Sequence, residues 1–412
     1  MNRSPRSTDA SIDLNLVLGL SVAQLIGWGS VFYGFSLFMA PIETMLSLTR
    51  GESSLAFSLA LLMEGLAAFA VGRWIDQGHE RRVMTLGSLA VGLAFVAHAY
   101  VQTRGQFYAV WLVLGLGLSA TLYTPAFAVL TRRFPEQFRR AIIILTFLGG
   151  LASTVFIPLI AWLLDAFGWQ TTMWVLGLLH GLVCAPLHAH YLQHAPRPSN
   201  HRSSKENISA SPAAWRAHLQ DRTFWLVGVF MVLLMAVTAA LPAHLVNLLR
   251  EAGLQETWVL ALPAIVGVLQ VVGRALLFVA EHRIDVHWVN RWVPCLIPLG
   301  FALLWLGGVH GFWAGLFVLV YGLGNGMFTI VKGTVVAQYV SQSSVGSLNG
   351  MVGLPMALAR AGAPWFMGAL WQPDVGYQYG LLWMMGLSCV GVAALWWAQS
   401  RARLTRRARA HS

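Results

Sequence analysis

The sequence predicts an all-α membrane protein in which twelve transmembrane helices form two pseudo-symmetric six-helix bundles. The first observation is composition: 57% of the 412 residues are hydrophobic and 10% are charged, against roughly 25% charged in soluble proteins. So few charges cannot cover a water-facing surface. The second observation is a series of apolar runs of about 20 residues, the length of a membrane-spanning helix. The third is one long polar stretch, which divides these runs six and six.

The apolar runs are continuous and do not alternate at every second residue, which favours helices over β-barrel strands. Their edges are defined to within a few residues. In chain order, the predicted spans cover residues 14–39, 53–75, 83–102, 106–130, 140–164, 170–192, 222–249, 256–280, 290–309, 312–336, 346–370 and 376–398. The polar segment at residues 1–13 is expected to be a short tail and not a cleaved signal peptide.

The positions of Lys and Arg predict the orientation, because these residues concentrate in cytoplasmic loops. Of the 27 Lys and Arg residues, 21 lie on the side of the termini, three lie in the opposite loops and three lie within spans. Both termini are therefore predicted to be cytoplasmic, with the protein in the cell inner membrane. The formal charge of +11 is then a topogenic signal and an attraction to membrane lipid, and we expect no nucleic-acid partner.

The long polar stretch at residues 193–221 is rich in Pro, Ser and charged residues and is expected to be a cytoplasmic linker. It separates an N-terminal six-helix bundle, residues 1–192, from a C-terminal six-helix bundle with a basic cytoplasmic tail, residues 222–412. The sequence thus predicts two membrane domains of similar size.

The two halves also show weak internal sequence similarity. The fourth span carries Gly115 and Gly117, and the tenth carries Gly322, Gly324 and Gly326. Glycines at such spacings allow helix backbones to approach closely. Internal symmetry over two six-span halves is typical of secondary transporters, in which the substrate binds near the midplane between the repeats.

The loop between the second and third spans has the sequence GRWIDQGHERR, beginning at Gly72. Gly72 would allow this helix end to pack against a helix of the other half. The carboxylate of Asp76 can accept charge-assisted hydrogen bonds from a neighbouring helix end, or from Arg81 and Arg82. Such a latch would hold one face of the protein closed. The alternative is an ordinary basic cytoplasmic turn.

This loop resembles the cytoplasmic signature of the major facilitator superfamily, although Gln77 replaces the usual Arg and Gly78 lies one place early. Four further segments extend the resemblance to bacterial relatives of the monocarboxylate porters and oxalate/formate antiporters. These are LYTPAF at 122–127, GGLASTVFIP at 149–158, GNGMFTIVKG at 324–333 and ARAGAP at 359–364. The resemblance implies a major facilitator fold that opens alternately to each side, in a protein that functions as a monomer.

A carboxylate lies near the middle of the second span, at Glu64. Burial of an ionised carboxylate at that depth costs about 3 kcal/mol on insertion scales, so we expect Glu64 to be partnered or protonated. One interpretation is a proton-coupling acid, and the other is a structural partner for a cation on an adjacent helix. In the families that the chain resembles, an acid more often occupies the position of Thr124. Glu64 would then have taken over that role from a neighbouring helix.

Arg360 lies near the centre of the eleventh span, about 14 residues or roughly 21 Å of helix from either loop. That distance is long for snorkelling, so its side chain should point into the bundle. An anion-binding role is the leading hypothesis, because guanidinium groups match carboxylates. Pairing with Glu64 as a gate is the alternative.

Arg274 in the eighth span allows two alignments of the repeat. If Gly273 is the repeat partner of Gly72, Arg274 lies at the end of the cytoplasmic loop, as Arg73 does. If Phe278 is instead the repeat partner of Gly72, Arg274 lies one turn deeper in the membrane and faces a central cavity. The oxalate/formate-type pattern favours the second alignment. Lys332, near the cytoplasmic end of the tenth span, has a structural or lipid role or a substrate role, and the sequence favours neither.

Several aromatic or polar residues lie too deep in the spans for an interfacial aromatic belt: Trp28, Tyr33, Tyr123 and Asn325. They are candidates to line a cavity and orient a small ligand, although ordinary helix packing is the alternative for each. With Arg360 and Arg274 they form the predicted substrate site.

Several chemistries have no signature in the sequence. There is no Walker-A phosphate loop, no Gly-x-Ser-x-Gly nucleophile motif and no His-Glu-x-x-His zinc motif. The three cysteines lie in apolar stretches without ligand spacing, so no disulfide framework, metal site or cofactor is expected. The protein is therefore not expected to be an enzyme or to use ATP.

These observations predict a secondary active transporter that moves a small organic anion, a mono- or dicarboxylate, together with H⁺. One alternative is H⁺-driven efflux of amphipathic drugs or metabolites, which the fourteen Met residues and the 12% aromatic content would suit. An alternative of another class is a transport-inactive membrane sensor or scaffold that signals through the basic tail at 401–412.

Overall fold

The structure is a computed structural model of the chain, and it describes residues 13–193, 220–280, 283–308, 310–342 and 344–410, with the backbone alone at 346 and 405–410. The linker predicted at 193–221 lies outside these ranges except at its two ends.

The described residues form helices joined by short turns. In chain order these are α1 (Leu14–Leu46), α2 (Arg50–Asp76), α3 (Glu80–His98), α4 (Arg104–Arg133), α5 (Phe138–Tyr191), α6 (Arg222–Glu251), α7 (Glu256–Ala280), α8 (Val286–Gly307), α9 (Gly311–Tyr339), α10 (Val345–Ala369) and α11 (Gln378–Ala410). The α5 stretch consists of two helices that meet at Gly168, whose φ of +73° lies in the left-handed region that favours glycine.

Within the described ranges, nine helical stretches are long and apolar enough to cross a membrane. The labelled helices α3 and α10 are not among them. The prediction of an all-α, multi-pass membrane protein is confirmed, and the count of twelve spans stays a prediction.

Two irregular turns shape the centre of the N-terminal half. The α1 helix widens to a π-helix at Trp28–Tyr33, a distortion that is frequent at functional sites. The α4 helix is interrupted at Leu122, whose backbone is extended. Pro125 explains this break, because it has no N–H to donate to the carbonyl of Thr121 four residues earlier. The side-chain amide of Gln24 in α1 donates to that carbonyl instead, at 2.6 Å.

Glycines allow the same close approach of helices in both halves. A Cβ atom on Gly115 of α4 would overlap the main chain of Ala60 in α2. A Cβ atom on Gly326 of α9 would likewise overlap the main chain of Gln270 in α7. The weak echo between the fourth and tenth spans therefore corresponds to equivalent backbone contacts.

The two halves meet on the side opposite the termini and separate on the terminal side. A Cβ atom on Gly51, at the start of α2, would lie 3.4 Å from Cα of Ala369 at the end of α10. Midway along α2, a Cβ atom on Gly65 would lie 3.5 Å from the Cβ of Ala357. At Gly72, near the terminal-side end of α2, no described atom lies within 4 Å of the corresponding position. The molecule is therefore open toward its terminal side, which the charge distribution predicts to be cytoplasmic.

Candidate functional site

A cavity of about 210 Å³ lies between the two halves, walled by α1, α4, α5, α6, α7, α9 and α10. All six residues predicted to bind a substrate line it: Trp28, Tyr33, Tyr123, Arg274, Asn325 and Arg360. The fold thus brings together side chains from five different helices.

One wall of the cavity is aromatic. The ring centroids of Trp28 and Tyr123 lie 5.0 Å apart, and Tyr123 stacks on Phe127 at 5.3 Å. The π-helical turn of α1 and the break in α4 carry Trp28 and Tyr123 respectively. The indole Nε1 of Trp28 is buried and has no hydrogen-bond acceptor in the described part of the chain. This wall can therefore contact an apolar surface and still donate one hydrogen bond.

Arg360 and Glu64 form an ion pair between the two halves. Nη1 of Arg360 lies 3.0 Å from Oε2 of Glu64, and the two side chains are 19% and 13% exposed respectively. Nη2 of Arg360 is buried without a hydrogen-bond partner among the described residues. The guanidinium also lies 5.9 Å from the ring centroid of Phe32. The intramembrane carboxylate is thus partnered, and the guanidinium keeps a free N–H group beside the cavity.

Arg274 lines the cavity, in the deeper of the two positions that the sequence allows. Its Nη1 donates to the carbonyl of Thr146 in α5 at 3.1 Å, and its Nε donates to Gln270 in its own helix at 3.2 Å. A Cβ atom on Gly150 would lie 2.6 Å from Nη2 of Arg274. Two of its nitrogens are therefore held by main-chain carbonyls, one of them across the interface between the halves.

Lys332 also lines the cavity, where a substrate role, one of the alternatives left open by the sequence, stays a prediction. Its Nζ has Met235 Sδ as a neighbour at 3.4 Å. Asn325, Thr329 and Lys332 all line the cavity at the spacing i, i+4 and i+7, which places them on one face of α9. Helical spacing from Asn325 is the signal that identifies Lys332 as a cavity residue.

The loop at Gly72 does not form the predicted latch in this conformation. Gly72 packs against nothing within 4 Å, and Asp76 is exposed, with no ion pair or hydrogen bond to another described side chain. Arg81 donates to the carbonyl of Ala189 in its own half at 2.8 Å, and Arg82 is exposed. The halves are apart at this helix end, so packing between them at Gly72 stays a prediction for the state that is closed on this side.

The buried carboxylate of this loop is Glu80, which the sequence alone does not single out. Its side chain is fully buried and lies 3.1 Å from Nη1 of Arg132 and 2.6 Å from Nη2 of Arg133. Arg132 also donates to the carbonyl of Ile75 at the end of α2. Glu80 therefore ties the start of α3 to the ends of α2 and α4 within one half.

A second cluster closes the side opposite the termini, and its key residue is Arg50. Nε of Arg50 lies 2.8 Å from Glu43 of its own half, and Nη1 lies 2.8 Å from Glu251 of the other half. Nη1 also donates to the hydroxyl of Tyr377 at 2.5 Å. Beneath them the buried ring of His244 contacts that hydroxyl at 3.0 Å. We call these five residues the Arg50 cluster.

Two neutral contacts support the same closure. The side-chain amide of Asn247 donates to the carbonyl of Ser36 at 2.8 Å, and the backbone N–H of Trp365 donates to the hydroxyl of Ser58 at 2.9 Å. Both bonds join the two halves. Polar contacts therefore close the cavity on the side opposite the termini.

An all-α membrane protein with a polar cavity between two similar halves, closed on one side, has the architecture of an alternating-access carrier. The sequence profile of the Major Facilitator Superfamily matches residues 17–284. The chain belongs to this superfamily, whose members are membrane transporters and not enzymes.

The relatives agree at the level of the family and the fold. The "Uncharacterized MFS-type transporter YcxA" of Bacillus subtilis (strain 168) is 25% identical over 240 residues, which cover 57% of this chain and 58% of that protein. The chain thus matches little more than half the length of this curated relative. The finer resemblance to the monocarboxylate porters and oxalate/formate antiporters stays a prediction.

Solved structures with the same fold include several different kinds of transporter. A bacterial homolog to human lysosomal transporter Spinster, inward-facing and occupied, superimposes with a TM-score of 0.72 at 15% identity, over 95% of this chain and 97% of that one. The nucleoside transporter NupG gives 0.72 at 17% identity over 94% and 99% of the two chains. The D-xylose-proton symporter gives 0.70 at 13% identity over 94% and 97%. At these identities the likeness shows the fold alone.

Proposed function

We propose that this protein is a secondary active transporter that moves a small organic anion together with H⁺ by alternating access. The observation that carries the proposal is the guanidinium of Arg360, which faces the cavity with one buried N–H group free. Retention of a permanent charge at this depth is costly, and such residues mark substrate or ion pathways. A negatively charged solute would compensate the charge.

Glu64 supplies the coupling in this proposal. A substrate carboxylate and the Glu64 carboxylate compete for the same guanidinium, which lies 3.0 Å from Glu64. Protonation of Glu64 removes its charge and leaves Arg360 available, so proton binding and anion binding favour each other. That relation is the requirement for symport.

The size of the cavity favours a small solute. Its volume of about 210 Å³ is below the roughly 300–1,000 Å³ of pockets that hold drug-sized ligands. Efflux of amphipathic drugs, the first alternative, is therefore supported less well than transport of a small acid. We propose further that the protein lies in the inner membrane as a monomer with both termini cytoplasmic, so that the described state is inward-open.

Counterflow tests the proposal in proteoliposomes, with a panel of labelled mono- and dicarboxylates and with and without a pH gradient. Wild-type protein is expected to exchange at least one acid and to accumulate it when the outside is acidic. Arg360→Ala and Arg360→Lys should abolish uptake, because neither offers the bidentate fork.

The matched control is Arg104→Ala, which removes an exposed arginine paired with Glu52 outside the cavity and should leave uptake unchanged. Protein amount and thermal unfolding of each purified variant establish that the loss is not one of folding. Undiminished uptake by both Arg360 variants would refute the assignment of Arg360.

A further inference from the structure

The cavity is rich in hydrogen-bond donors that have no acceptor. Nε1 of Trp28 and Nη2 of Arg360 are buried without partners in the described structure. Nζ of Lys332 has the thioether of Met235 at 3.4 Å, and a thioether is a weak acceptor. Buried donors without partners are costly. The ligand that satisfies these three groups must therefore present several acceptor atoms.

The charges in the cavity are unbalanced as well. Three cations line it, Arg274, Lys332 and Arg360, and no carboxylate is among the described lining residues. Glu64, which pairs with Arg360 but is not among the lining residues, offsets one charge while it is ionised and none once it is protonated. At least two positive charges therefore stay uncompensated in either protonation state. A solute with one negative charge cannot balance them.

The three cations differ in their hydrogen-bond and ion-pair partners within the protein. Arg274 is bonded to two main-chain carbonyls, and Arg360 is paired with Glu64. Lys332 has no anionic partner among the described residues, and it lines the same cavity as Arg360. An anion on Arg360 alone would leave Lys332 uncompensated nearby, whereas a second negative charge on the same solute would pair with it.

We infer that the cargo is a small organic dianion and that Lys332 is the specificity-determining residue that selects it over a monoanion. The inference rests on the proposed function and adds the charge of the substrate to it. Two sources share this chemistry: a dicarboxylate, with one charge at each end, and a phosphate monoester, with both charges on one group.

The experiment uses the full-length protein in proteoliposomes and compares substrates of similar size but different charge. Succinate carries two charges at pH 7.5, and monomethyl succinate carries one. Glycerol 3-phosphate represents the phosphate monoesters. Wild-type protein is expected to transport succinate or glycerol 3-phosphate with about tenfold higher efficiency than monomethyl succinate, the size of effect of one charge-assisted hydrogen bond.

Lys332→Met keeps an unbranched side chain, one atom shorter than that of lysine, and removes its charge. This variant should lose transport of the dianion by about tenfold and keep transport of monomethyl succinate, so that the preference disappears. Lys332→Arg, which keeps the charge, should restore the preference. Arg104→Met, outside the cavity, is the control for loss of a positive charge elsewhere.

Three outcomes would overturn the inference. Wild-type protein would transport monomethyl succinate as well as either dianion, or Lys332→Met would weaken both classes equally, or Lys332→Met and Lys332→Arg would behave alike. A separate result, no transport of any organic anion by folded wild-type protein, would instead overturn the proposed function on which the inference rests.

Discussion

The ion pair of Arg360 and Glu64 combines two hypotheses that the sequence kept apart. Arg360 can both bind an anion and form a gating ion pair if the Glu64 carboxylate pairs with its guanidinium only when no substrate is bound. The 3.0 Å contact and the free Nη2 atom fit a guanidinium that exchanges one partner for another. The charge state of Glu64 then decides which partner is bound.

Glu64→Gln provides the test at the scale of one residue. The amide cannot take up a proton, so Arg360 stays available while the coupling is lost. We expect counterflow to continue and pH-driven accumulation above the external concentration to stop.

Glu52→Gln, at an exposed pair with Arg104 outside the cavity, serves as the matched control and should accumulate substrate normally. Gradient-driven accumulation by Glu64→Gln would exclude Glu64 as the coupling residue.

At the scale of helices, Glu80 holds three elements together by its position between two arginines. Its carboxylate is fully buried, and both guanidinium groups lie within 3.1 Å of it. Because the partners belong to α4 and Arg132 also bonds the end of α2, the terminal-side ends of α2, α3 and α4 are joined through one carboxylate.

Glu80→Gln should destabilise the protein by roughly 3 kcal/mol, because two partly buried guanidinium groups lose their anion. Asp76→Asn, four residues earlier in the same loop, removes an exposed carboxylate and should change stability by less than about 0.5 kcal/mol. Thermal unfolding of the purified variants measures both. Equal stability of the two variants, or a larger effect at Asp76, would contradict the role given to Glu80.

The helices also show which site residues can be predicted from the sequence. Arg360, Trp28 and Tyr123 were predictable because each interrupts an apolar run, and an interruption is visible locally. Glu80 was not, because its partners lie on another helix more than fifty positions later and its neighbours in the loop are equally polar. The packing expected at Gly72 depends on the conformation as well as on the residue, and it stays a prediction because the halves are apart there in the described state.

At the scale of the whole molecule, the Arg50 cluster joins the two halves on the side opposite the termini, whereas the halves are apart on the terminal side. In the sequence, Arg50 is one of the three basic residues in the loops opposite the termini, whose small number predicts the orientation. Its partners Glu251 and Tyr377 lie in the other half, about 200 and more than 300 positions away. The sequence could not connect them without knowing which helix ends meet. In the structure they close the cavity on one side.

Arg50→Gln should shift the population toward the state that is open on the side opposite the termini, because three polar contacts lose their cation and only neutral bonds still join the halves there. Ala369→Cys, facing Gly51 in the closed contact, reports the change in a background without the three native cysteines. We expect faster labelling by a membrane-impermeant maleimide added from that side. Arg104→Gln, whose ion pair stays within one half, should leave the labelling rate unchanged, and equal rates in all three proteins would contradict the role of the cluster.

The bond from Gln24 to the carbonyl of Thr121 has a consequence for the transport cycle. Because that carbonyl has no helical donor, the first and fourth helices share a hydrogen bond that neither can replace on its own. The two helices must therefore travel as one rigid unit when the halves rock. Trp28, one turn beyond Gln24, and Tyr123, two residues beyond Thr121, would then keep their spacing throughout. The aromatic surface offered to a solute would be the same whichever way the carrier faces.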